Sequence, residues 1–312
     1  MPANFPEVWL NRVETNLRAT DVAPWLDGVE EMDTQVIEMG SGTASETNVI
    51  HIATSEFEPT VLINNTTYPL NVQPYTDGSV TLNLDKYQTL ATSVSDDQVM
   101  GASYNRIDAA TRTHVQVITK SKYAKAIHAI APAANTSNTP VIGTTGAVEG
   151  GASFGRKIFT YKDLVTLKGK FDDLEVPEIG RRIVLCTDHW NDLLLDRDRF
   201  GDNFSNYRTG GVAPMVAGFE IYQYVANPIF DTSFEKLAYG AVPDAGEFKA
   251  SIAFYVPNIS KKTGFTKQYF APANLDPKNQ QNLLNYRHYF MALPKRNKYI
   301  GAICSTFTVD PG

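Results

Sequence analysis

The chain has 312 residues, of which 43% are apolar and 20% are charged, and its formal net charge is −6. These values allow a large core, in one elaborate domain or two modest ones, and argue against non-specific nucleic-acid binding as the main task. The sequence has no apolar run long enough for a membrane-spanning helix and no basic start typical of a signal peptide. We therefore expect a protein that is made and used in a cytosol, without membrane contact.

Negative charge is concentrated in the first quarter of the chain. Residues 1–85 contain 13 Asp and Glu, two Arg and no Lys, a net charge of −11, which leaves +5 for residues 86–312. This asymmetry is typical either of a solvated acidic face or of surfaces that are complementary between copies, and the sequence favours the two equally. The two cysteines, Cys186 and Cys304, lie in apolar runs, which predicts buried reduced thiols.

The N-terminal segment is predicted to be an arm with little core of its own. A short helix is predicted over residues 6–18, and in the acidic stretch that follows Trp25 and Leu26 form an apolar anchor. Beyond a break of small residues at 40–47, apolar residues recur with a period of two, which predicts short strands at 48–53, 60–64 and 68–75. Prolines around these strands indicate an extended, edge-rich hairpin. A further alternating strand is predicted at 80–84.

The longest predicted element is a helix over residues 95–132. Ser95 and Gln98 have the spacing of a capping box, and Pro132 ends the run. A thin apolar stripe, opposite to Asp108, Arg112 and Thr119, comprises Val99, Ile107, Ala110, Val117, Ile118 and Ala124. This length and polarity favour a spine that lies across a sheet and turns its other side to solvent or to neighbouring subunits. The alternative is an ordinary amphipathic helix broken near Gly101.

After a loop of small residues, the pattern over 135–261 is that of a mixed α/β domain. Thr160 and Asp163 begin a predicted helix whose buried side carries Leu164, Leu167, Phe171 and Leu174. A buried strand at 183–186, a helix at 188–195 and a strand at 219–225 follow. The last predicted strands, at 265–271, 283–293 and 299–307, need a partner sheet, and we expect strand 80–84 to supply it.

No motif predicts an active site. Ser153 lies in a nucleophile-elbow pattern, with His189 and His288 as candidate bases. That motif requires a strand before the serine and a helix after it, whereas a Gly/Thr-rich loop precedes it here. The five histidines include no pair at the i, i+4 spacing of helical zinc sites, and the start of a calcium loop at Asp196 lacks its later ligands. We therefore predict no enzyme activity, no cofactor and no metal.

Taken in order, these features resemble those of the major capsid proteins of tailed bacteriophages, which have the Hong Kong 97-like fold. The segment that leads into the long helix, after an acidic arm and a proline-containing hairpin, is VTLNLDKYQTLATSVSDDQ at 80–98. The segment that resembles the family's axial domain is RRIVLCTDHWNDLLLD at 181–196, followed by a Gly-rich loop and GFEIYQYV at 218–225.

The resemblance implies an α+β fold with four parts. They are an N-terminal arm (1–45), an extended β-hairpin loop (46–86), a peripheral domain (87–134 and 262–312) with a spine helix at 96–131, and a mixed α/β axial domain (135–261).

The resemblance also implies a structural protein that assembles with itself. Copies would form hexamers and pentamers that close an icosahedral shell around double-stranded DNA, without sequence-specific DNA contact. A separate scaffolding protein is implied because the arm is too short to hold a scaffolding domain, and a portal and decoration proteins are further expected partners. Assembly is expected in the bacterial host cytoplasm, and the final location is the capsid of the virion.

Contacts between subunits are expected to be non-covalent. Some members of that family crosslink through a lysine in the extended loop, and this chain has no lysine before Lys86. The residues expected at these contacts fall into three groups. The arm is anchored by Trp9, Trp25 and Leu26. The acidic loop residues are Glu56 and Glu58, and their basic partners, chosen by charge sign, are Arg106, Arg112, Lys261 and Lys262. Two alternatives remain open: an encapsulin-like cellular shell of the same fold, and a cytosolic serine hydrolase that uses Ser153.

Overall fold

The computed structural model describes residues 23–32, 49–55, 77–95, 106–195, 205–206, 211–212, 215–275 and 278–308. Within these ranges the chain has an α+β fold with the helices α1 (Arg106–Ile130), α2 (Tyr161–Asp173) and α3 (Thr187–Leu195). The strands are β1 (Glu30–Glu31), β2 (Val49–Ser55), β3 (Asp77–Asn83), β4 (Asp85–Gln88), β5 (Thr92–Ser95), β6 (Val141–Gly143), β7 (Gly155–Arg156), β8 (Arg181–Leu185), β9 (Ser205–Asn206), β10 (Gly211–Val212), β11 (Met215–Val216), β12 (Phe219–Gln223), β13 (Ile229–Phe230), β14 (Phe248–Lys249), β15 (Ser251–Tyr255), β16 (Ile259–Ala271), β17 (Gln281–Pro294), β18 (Ile300–Cys304) and β19 (Phe307–Thr308). The α+β class predicted from the sequence is confirmed.

Several predicted elements lie outside the described residues. They are the helix at 6–18, the strands at 60–64 and 68–75, and the first part of the long helix, 96–105. The described part of that helix, α1, has 25 residues and ends at Ile130. Its end agrees with the predicted stop at Pro132, because a proline disfavours helical backbone at the residue before it.

Buried residues recur every three or four positions along α1, but the face that they form contains polar side chains. Its members are Thr111, His114, Val115, Ile118, Thr119, Lys122, Tyr123, Ala126, Ile127 and Ile130. The predicted stripe is wrong in two places: Val117 is 54% exposed, and Thr119, predicted on the opposite side, is buried. The buried Thr119 hydroxyl has no hydrogen-bond partner among the described residues, whereas Thr111 and Lys122 contact other parts of the chain. The Thr111 hydroxyl, for example, donates to the carbonyl of Ile107 and lies 3.0 Å from Tyr286 Oη.

The helix packs on a five-stranded sheet with the order β1-β16-β17-β4, in which β5 also pairs with β17. Val115 and Ile118 of α1 contact Leu284 and Tyr286 of β17 in one apolar cluster. The prediction that residues 80–84 pair with the C-terminal strands is wrong. Residues 80–83 belong to β3, which pairs with β2 from Val49↔Asn83 to Ser55↔Asp77, and the next two strands, β4 and β5, extend the sheet instead.

A second, six-stranded sheet has the order β11-β12-β8-β15-β18-β6. Its strand β18 comes from the C-terminal segment, which the predicted division at residue 261 assigns wholly to the other domain. The boundary needs correction there, because β18 pairs with β15 on one side and β6 on the other. All five residues of β18 are buried, as expected for a central strand covered on both faces.

The two sheets share one core. Its largest cluster joins Ile127 of α1, Phe290 of β17, Phe254 of β15 and Ala302 of β18, and Trp25 lies in the same cluster. The C-terminal part of α1 is therefore packed between elements of both sheets. Apolar burial of this kind stabilises by about 25 cal/mol per Å² removed from water, so the two halves are held as one unit.

The helix α2 covers the other face of the six-stranded sheet, as its sequence predicts. Its N-terminus has a capping box in which the Asp163 carboxylate accepts from the backbone N–H of Thr160 at 2.9 Å. Leu164, Leu167 and Phe171 are fully buried against this sheet. At Gly301 of β18, a Cβ atom would lie 2.9 Å from the Phe171 ring, so the strand needs glycine at this point.

Candidate assembly surfaces

Ser153, the predicted nucleophile of the hydrolase alternative, does not have the surroundings of a catalytic serine. Its side chain is exposed, a 3-10 turn at Glu149–Gly151 precedes it and β7 follows it, in place of a strand and a helix. The candidate base His189 is fully buried, and its two ring nitrogens lie 2.7 Å from Ser251 Oγ and 2.9 Å from Ser305 Oγ. Both nitrogens are thus occupied by interior hydroxyls.

The second candidate base, His288, is also buried in the fold. Its Nδ1 lies 2.9 Å from the Thr266 hydroxyl across the β16–β17 pair. Burial lowers the pKa of both His288 and His189 to about 3, so both rings are neutral at pH 7. Within the described ranges, no group of three or more His, Cys, Asp or Glu side chains could hold a metal ion, and no helix is long and apolar enough to cross a membrane.

An ion pair close to His189 joins two separate elements, β7 and α3, and the loop that follows β7. Both terminal nitrogens of the Arg156 guanidinium donate to the Asp192 carboxylate at 2.8 Å, and the side chains are only 8% and 6% exposed. The same carboxylate accepts from the backbone N–H of Phe159 at 2.8 Å. Hydrogen bonding to Asp192 raises the pKa of Arg156, which keeps its charge. This closed arrangement ties β7 to α3 and has the character of a structural clamp.

The two cysteines are buried and free, as predicted. Burial raises the pKa of the Cys186 thiol to about 11 and that of Cys304 well above its usual value. Thiols of this kind are inert, because the thiolate is the reactive form.

The arm segment 23–32 is held by its own chain. The Trp25 ring is fully buried, with its centre 5.7 Å from that of Tyr224 and 6.5 Å from that of Phe254, and Leu26 is 4% exposed. Arg182 donates to the carbonyls of Trp25 and Asp27 and pairs with Glu220 at 2.7 Å. In this conformation Trp25 and Leu26 have almost no surface to offer a neighbouring subunit, so the anchor predicted from the sequence is inserted into the chain's own core.

Two of the predicted basic partners bind that same segment. The Lys261 ammonium donates to the carbonyl of Leu26 at 3.2 Å, and the Lys262 ammonium donates to the carbonyl of Met32 at 2.7 Å. Lys295 pairs with Glu30, which lowers the pKa of that carboxyl. The cations next to the arm are therefore engaged within one chain.

The other predicted contact residues are in different situations. Trp9, Glu56 and Glu58 lie outside the described residues. Arg106 is the first described residue of α1. Arg112 is 68% exposed and pairs with Asp108 along the helix at 2.8 Å, the pairing that the i, i+4 spacing predicts. A contact of these side chains with a neighbouring subunit remains a prediction.

A set of basic and aromatic side chains on the β16–β17 pair was not singled out from the sequence. The Lys267 ammonium and the Arg287 guanidinium each lie 5.3 Å from the centre of the Tyr269 ring. Strict alternation in both segments predicts that these residues share one face, but only the register Lys267↔Arg287 brings the two cations together. We call Lys267, Tyr269 and Arg287 the cationic patch.

A lysine also holds the C-terminal end of α1. The Lys236 ammonium donates to the carbonyls of His128 at 2.8 Å and Ala131 at 2.7 Å, where unpaired carbonyls of a helix end favour a cation. His128 Nε2 lies 2.9 Å from the carbonyl of Leu237. Burial, together with the nearby Lys125, lowers the pKa of Lys236 to about 8. The segment between β13 and β14 is thereby fixed to the end of the helix.

Known proteins resemble this chain both in sequence and in structure. A family model described as "Phage capsid protein" matches residues 78–303. Among solved structures, the capsid of a native GTA particle gives a TM-score of 0.60 at 10% identity, covering 88% of this chain and 95% of that one. The capsid of Cyanophage P-SCSP1u gives 0.58 at 14% identity, covering 84% of both chains. The mature capsid of bacteriophage PhiM1 gives 0.56 at 11% identity, covering 88% of this chain and 91% of that one.

No curated protein sequence matches the chain. At such low identities the structural likeness concerns the fold alone, and it confirms the predicted α+β fold of the Hong Kong 97-like class.

Proposed function

The chain belongs to the phage capsid protein family, and on that premise we propose how copies of it build the shell of a tailed phage. It is a structural major capsid protein, and self-association into a capsid shell is the activity of that class. The observation that carries this conclusion is the family match over residues 78–303, which covers the long helix and, apart from β1 and the last residue of β18, both sheets.

We propose that the copies form hexamers and pentamers that close an icosahedral shell around double-stranded DNA. The division into parts follows the sequence analysis, with an arm at 1–45, a hairpin loop at 46–86, a peripheral part at 87–134 and 262–312, and an axial part at 135–261. The one change is that β18 is moved from the peripheral to the axial part. The net charge of −6 fits a container that confines DNA without a basic groove. A separate scaffolding protein, a portal and decoration proteins are the proposed partners, and the host cytoplasm is the proposed place of assembly.

The protein is proposed to have no catalytic role. Its histidines His189 and His288 and both of its thiols are buried within the fold, and the two candidate bases for Ser153 contact interior hydroxyls of other residues. The shell is further proposed to be held by non-covalent contacts, since the acidic quarter of the sequence has no lysine. Boiled particles should therefore run as a single band on an SDS gel, and a ladder of larger species would contradict this.

The direct test is expression of the full chain with its scaffolding partner, followed by sedimentation and negative-stain electron microscopy. Closed particles of uniform size are expected, and particles taken from virions should protect double-stranded DNA from nuclease. A chain that stays unassembled with every scaffolding protein from its own genome would contradict the proposal. Particles that carry a bound cargo peptide and no genome would instead indicate a cellular shell.

A further inference from the structure

One edge of the six-stranded sheet carries three different surfaces in a row. The start of β12, the start of β8, the end of β15 and the start of β18 follow one another along this edge. The loop at 174–180 leads into β8 near one end of the row, and the turn at 295–299 leads into β18 at the other. Because neighbouring strands lie about 4.8 Å apart, the row from β12 to β18 is roughly 14 Å long.

The loop at 174–180 is acidic and is held from inside the fold. Glu175 and Glu178 are exposed, and neither carboxylate has a hydrogen bond or an ion pair in the described part of the chain. A Cβ atom at Gly218 would lie 3.2 Å from Glu178 Oε1, which places that carboxylate beside the start of β12. The buried Arg181 guanidinium donates to the carbonyls of residues 176 and 177, so the loop has a fixed position. This loop forms the acidic end of the row.

The turn at 295–299 is basic and is also held from inside the fold. It contains Lys295, Arg296 and Lys298, three cations within four positions. Asn258 is 6% exposed, and its side chain donates to the carbonyls of Arg296 at 3.1 Å and Lys298 at 2.6 Å. Tyr299 ends the turn with a φ of 62°, a conformation that persists only where the surroundings impose it. Since Lys295 already pairs with the arm, Arg296 and Lys298 form the basic end of the row.

An apolar surface lies between the two charged ends. Ile179 is 88% exposed although its loop is fixed. A Cβ atom at Gly180 would lie 3.5 Å from the Tyr255 ring and 3.7 Å from Pro257, so the loop and these two side chains are contiguous. The centres of the Tyr255 and Tyr299 rings are 6.3 Å apart, which continues the surface as far as the basic turn. Tyrosine-rich apolar surface with charges at its rim is typical of protein–protein contacts.

We propose that this edge forms a two-fold contact with the same edge of a second copy of the chain. A row that is acidic, apolar and basic is self-complementary under a two-fold rotation about its middle, because the acidic end of each copy then meets the basic end of the other. Glu175 and Glu178 of each copy pair with Arg296 and Lys298 of the other, and the two Ile179 side chains meet near the axis. This inference rests on the proposed function, since it requires copies that pack side by side.

The acidic end favours a second copy over a nucleic acid as the occupant. Phosphates would be attracted to Arg296 and Lys298, but Glu175 and Glu178 would repel them at the other end of the row. An isologous partner neutralises both ends at once and covers the exposed Ile179 between them.

Thiol crosslinking at Ile179 tests the contact directly. Cys186 and Cys304 are buried, so the variant Ile179→Cys has one exposed thiol per chain, and any covalent dimer joins position 179 of two copies. Shells of this variant, treated with a short bis-maleimide, should give a dimer as the main band on a denaturing gel. The matched control Val242→Cys, at a position that is 86% exposed, should give at least tenfold less dimer. A dimer yield from Ile179→Cys no higher than that of the control would overturn the proposal.

Charge reversal in the Ile179→Cys chain gives a second measurement. Glu175→Lys with Glu178→Lys should lower the dimer yield at low salt by roughly tenfold, because like charges then face each other across the axis. Glu235→Lys with Asp244→Lys makes the same charge change at exposed positions away from this edge and should leave the yield within about twofold. Equal yields from the two reversed variants would contradict the pairing.

Reversal of the basic end as well should restore the contact. Adding Arg296→Glu and Lys298→Glu to the variant with reversed Glu175 and Glu178 exchanges the two signs, so the dimer yield should return to within about twofold of that of Ile179→Cys alone. No recovery would count against the two-fold arrangement.

The outcomes separate the two proposals. If the wild-type chain forms no shell, the proposed function fails. If it forms shells in which Ile179→Cys gives no dimer, only the present inference fails. In that case, protection of Lys298 from acetylation in DNA-filled particles but not in empty ones would indicate that the basic turn contacts DNA instead.

Discussion

Breaking the clamp between Arg156 and Asp192 is predicted to cause a large loss in the free energy of unfolding. In the variant Asp192→Ala, the Arg156 charge remains only 8% exposed and loses its bidentate partner, and the backbone N–H of Phe159 loses its acceptor. Breaking a buried ion pair from one side costs about 3–5 kcal/mol, and an unsatisfied buried donor costs about 1–3 kcal/mol more. We therefore expect the free energy of unfolding to fall by at least about 4 kcal/mol.

Urea unfolding of the unassembled chain measures this loss, with the fluorescence of Trp190, two residues from Asp192, as the signal. For a denaturant slope of about 3 kcal/mol per molar, the midpoint should move down by more than about 1 M. The matched control is Glu149→Gln, which removes the other carboxylate on Arg156. Because Glu149 is 62% exposed, its loss should cost less than about 1 kcal/mol. Equal midpoints for the two variants would refute the clamp.

The double variant Arg156→Leu with Asp192→Leu separates the charge from the packing. Removing both partners leaves no stranded charge, so it should recover part of the stability lost in Asp192→Ala. A double variant less stable than the single one would show that the pair is worth more than its apolar replacement.

Three further predictions concern backbone space, pH and the helix end. Gly301→Ala should destabilise the protein by about 1–3 kcal/mol because the added Cβ meets the Phe171 ring. Gly169→Ala, with no atom within 4 Å of the added carbon, should stabilise α2 by about 0.5–1 kcal/mol. The melting temperatures of the two variants should therefore move in opposite directions. His189 and His288 have pKa values of about 3 in the folded chain against about 6.5 in the unfolded chain. Because the unfolded chain then binds more protons, the free energy of unfolding should fall as the pH drops from 6.5 towards 3. His288→Gln should reduce the slope of this free energy against pH by about 1.4 kcal/mol per pH unit, and an unchanged slope in urea titrations would contradict this. Lys236→Met should cost about 2 kcal/mol and speed amide exchange at residues 228–242, while unchanged exchange there would exclude its role at the helix end.

Local patterns predicted the elements whose stability depends on their own residues. The helix α2 was predicted because its capping box and its apolar spacing are both local signals, and the structure has both. The buried face of α1 was placed wrongly because Thr111, Thr119 and Lys122 lie on it. The burial of Thr111 and Lys122 depends on partners far away in the sequence, which are Tyr286 for Thr111 and Phe290 for Lys122.

Strand pairing could not be predicted from the strands themselves. The apolar segment of β18 suits a central position in either sheet, and only its pairing with β6 and β15 assigns it to the six-stranded one. The cationic patch was missed for the same reason. Alternation shows which residues of β16 share a face, but the register that places Lys267 opposite Arg287 is set by the whole antiparallel pair.

The insertion of Trp25 into the shared core has a mechanical consequence for a shell. The segment behind it is attached at two points: Arg182 of the six-stranded sheet holds the carbonyls of Trp25 and Asp27, and β1 runs parallel to β16 of the five-stranded sheet. Tension that reaches the chain through its first residues is therefore divided between both sheets, and the arm cannot be peeled from one sheet without loading the other. Under pressure from inside the shell, neighbouring subunits would separate from each other before an arm was pulled out of its own subunit.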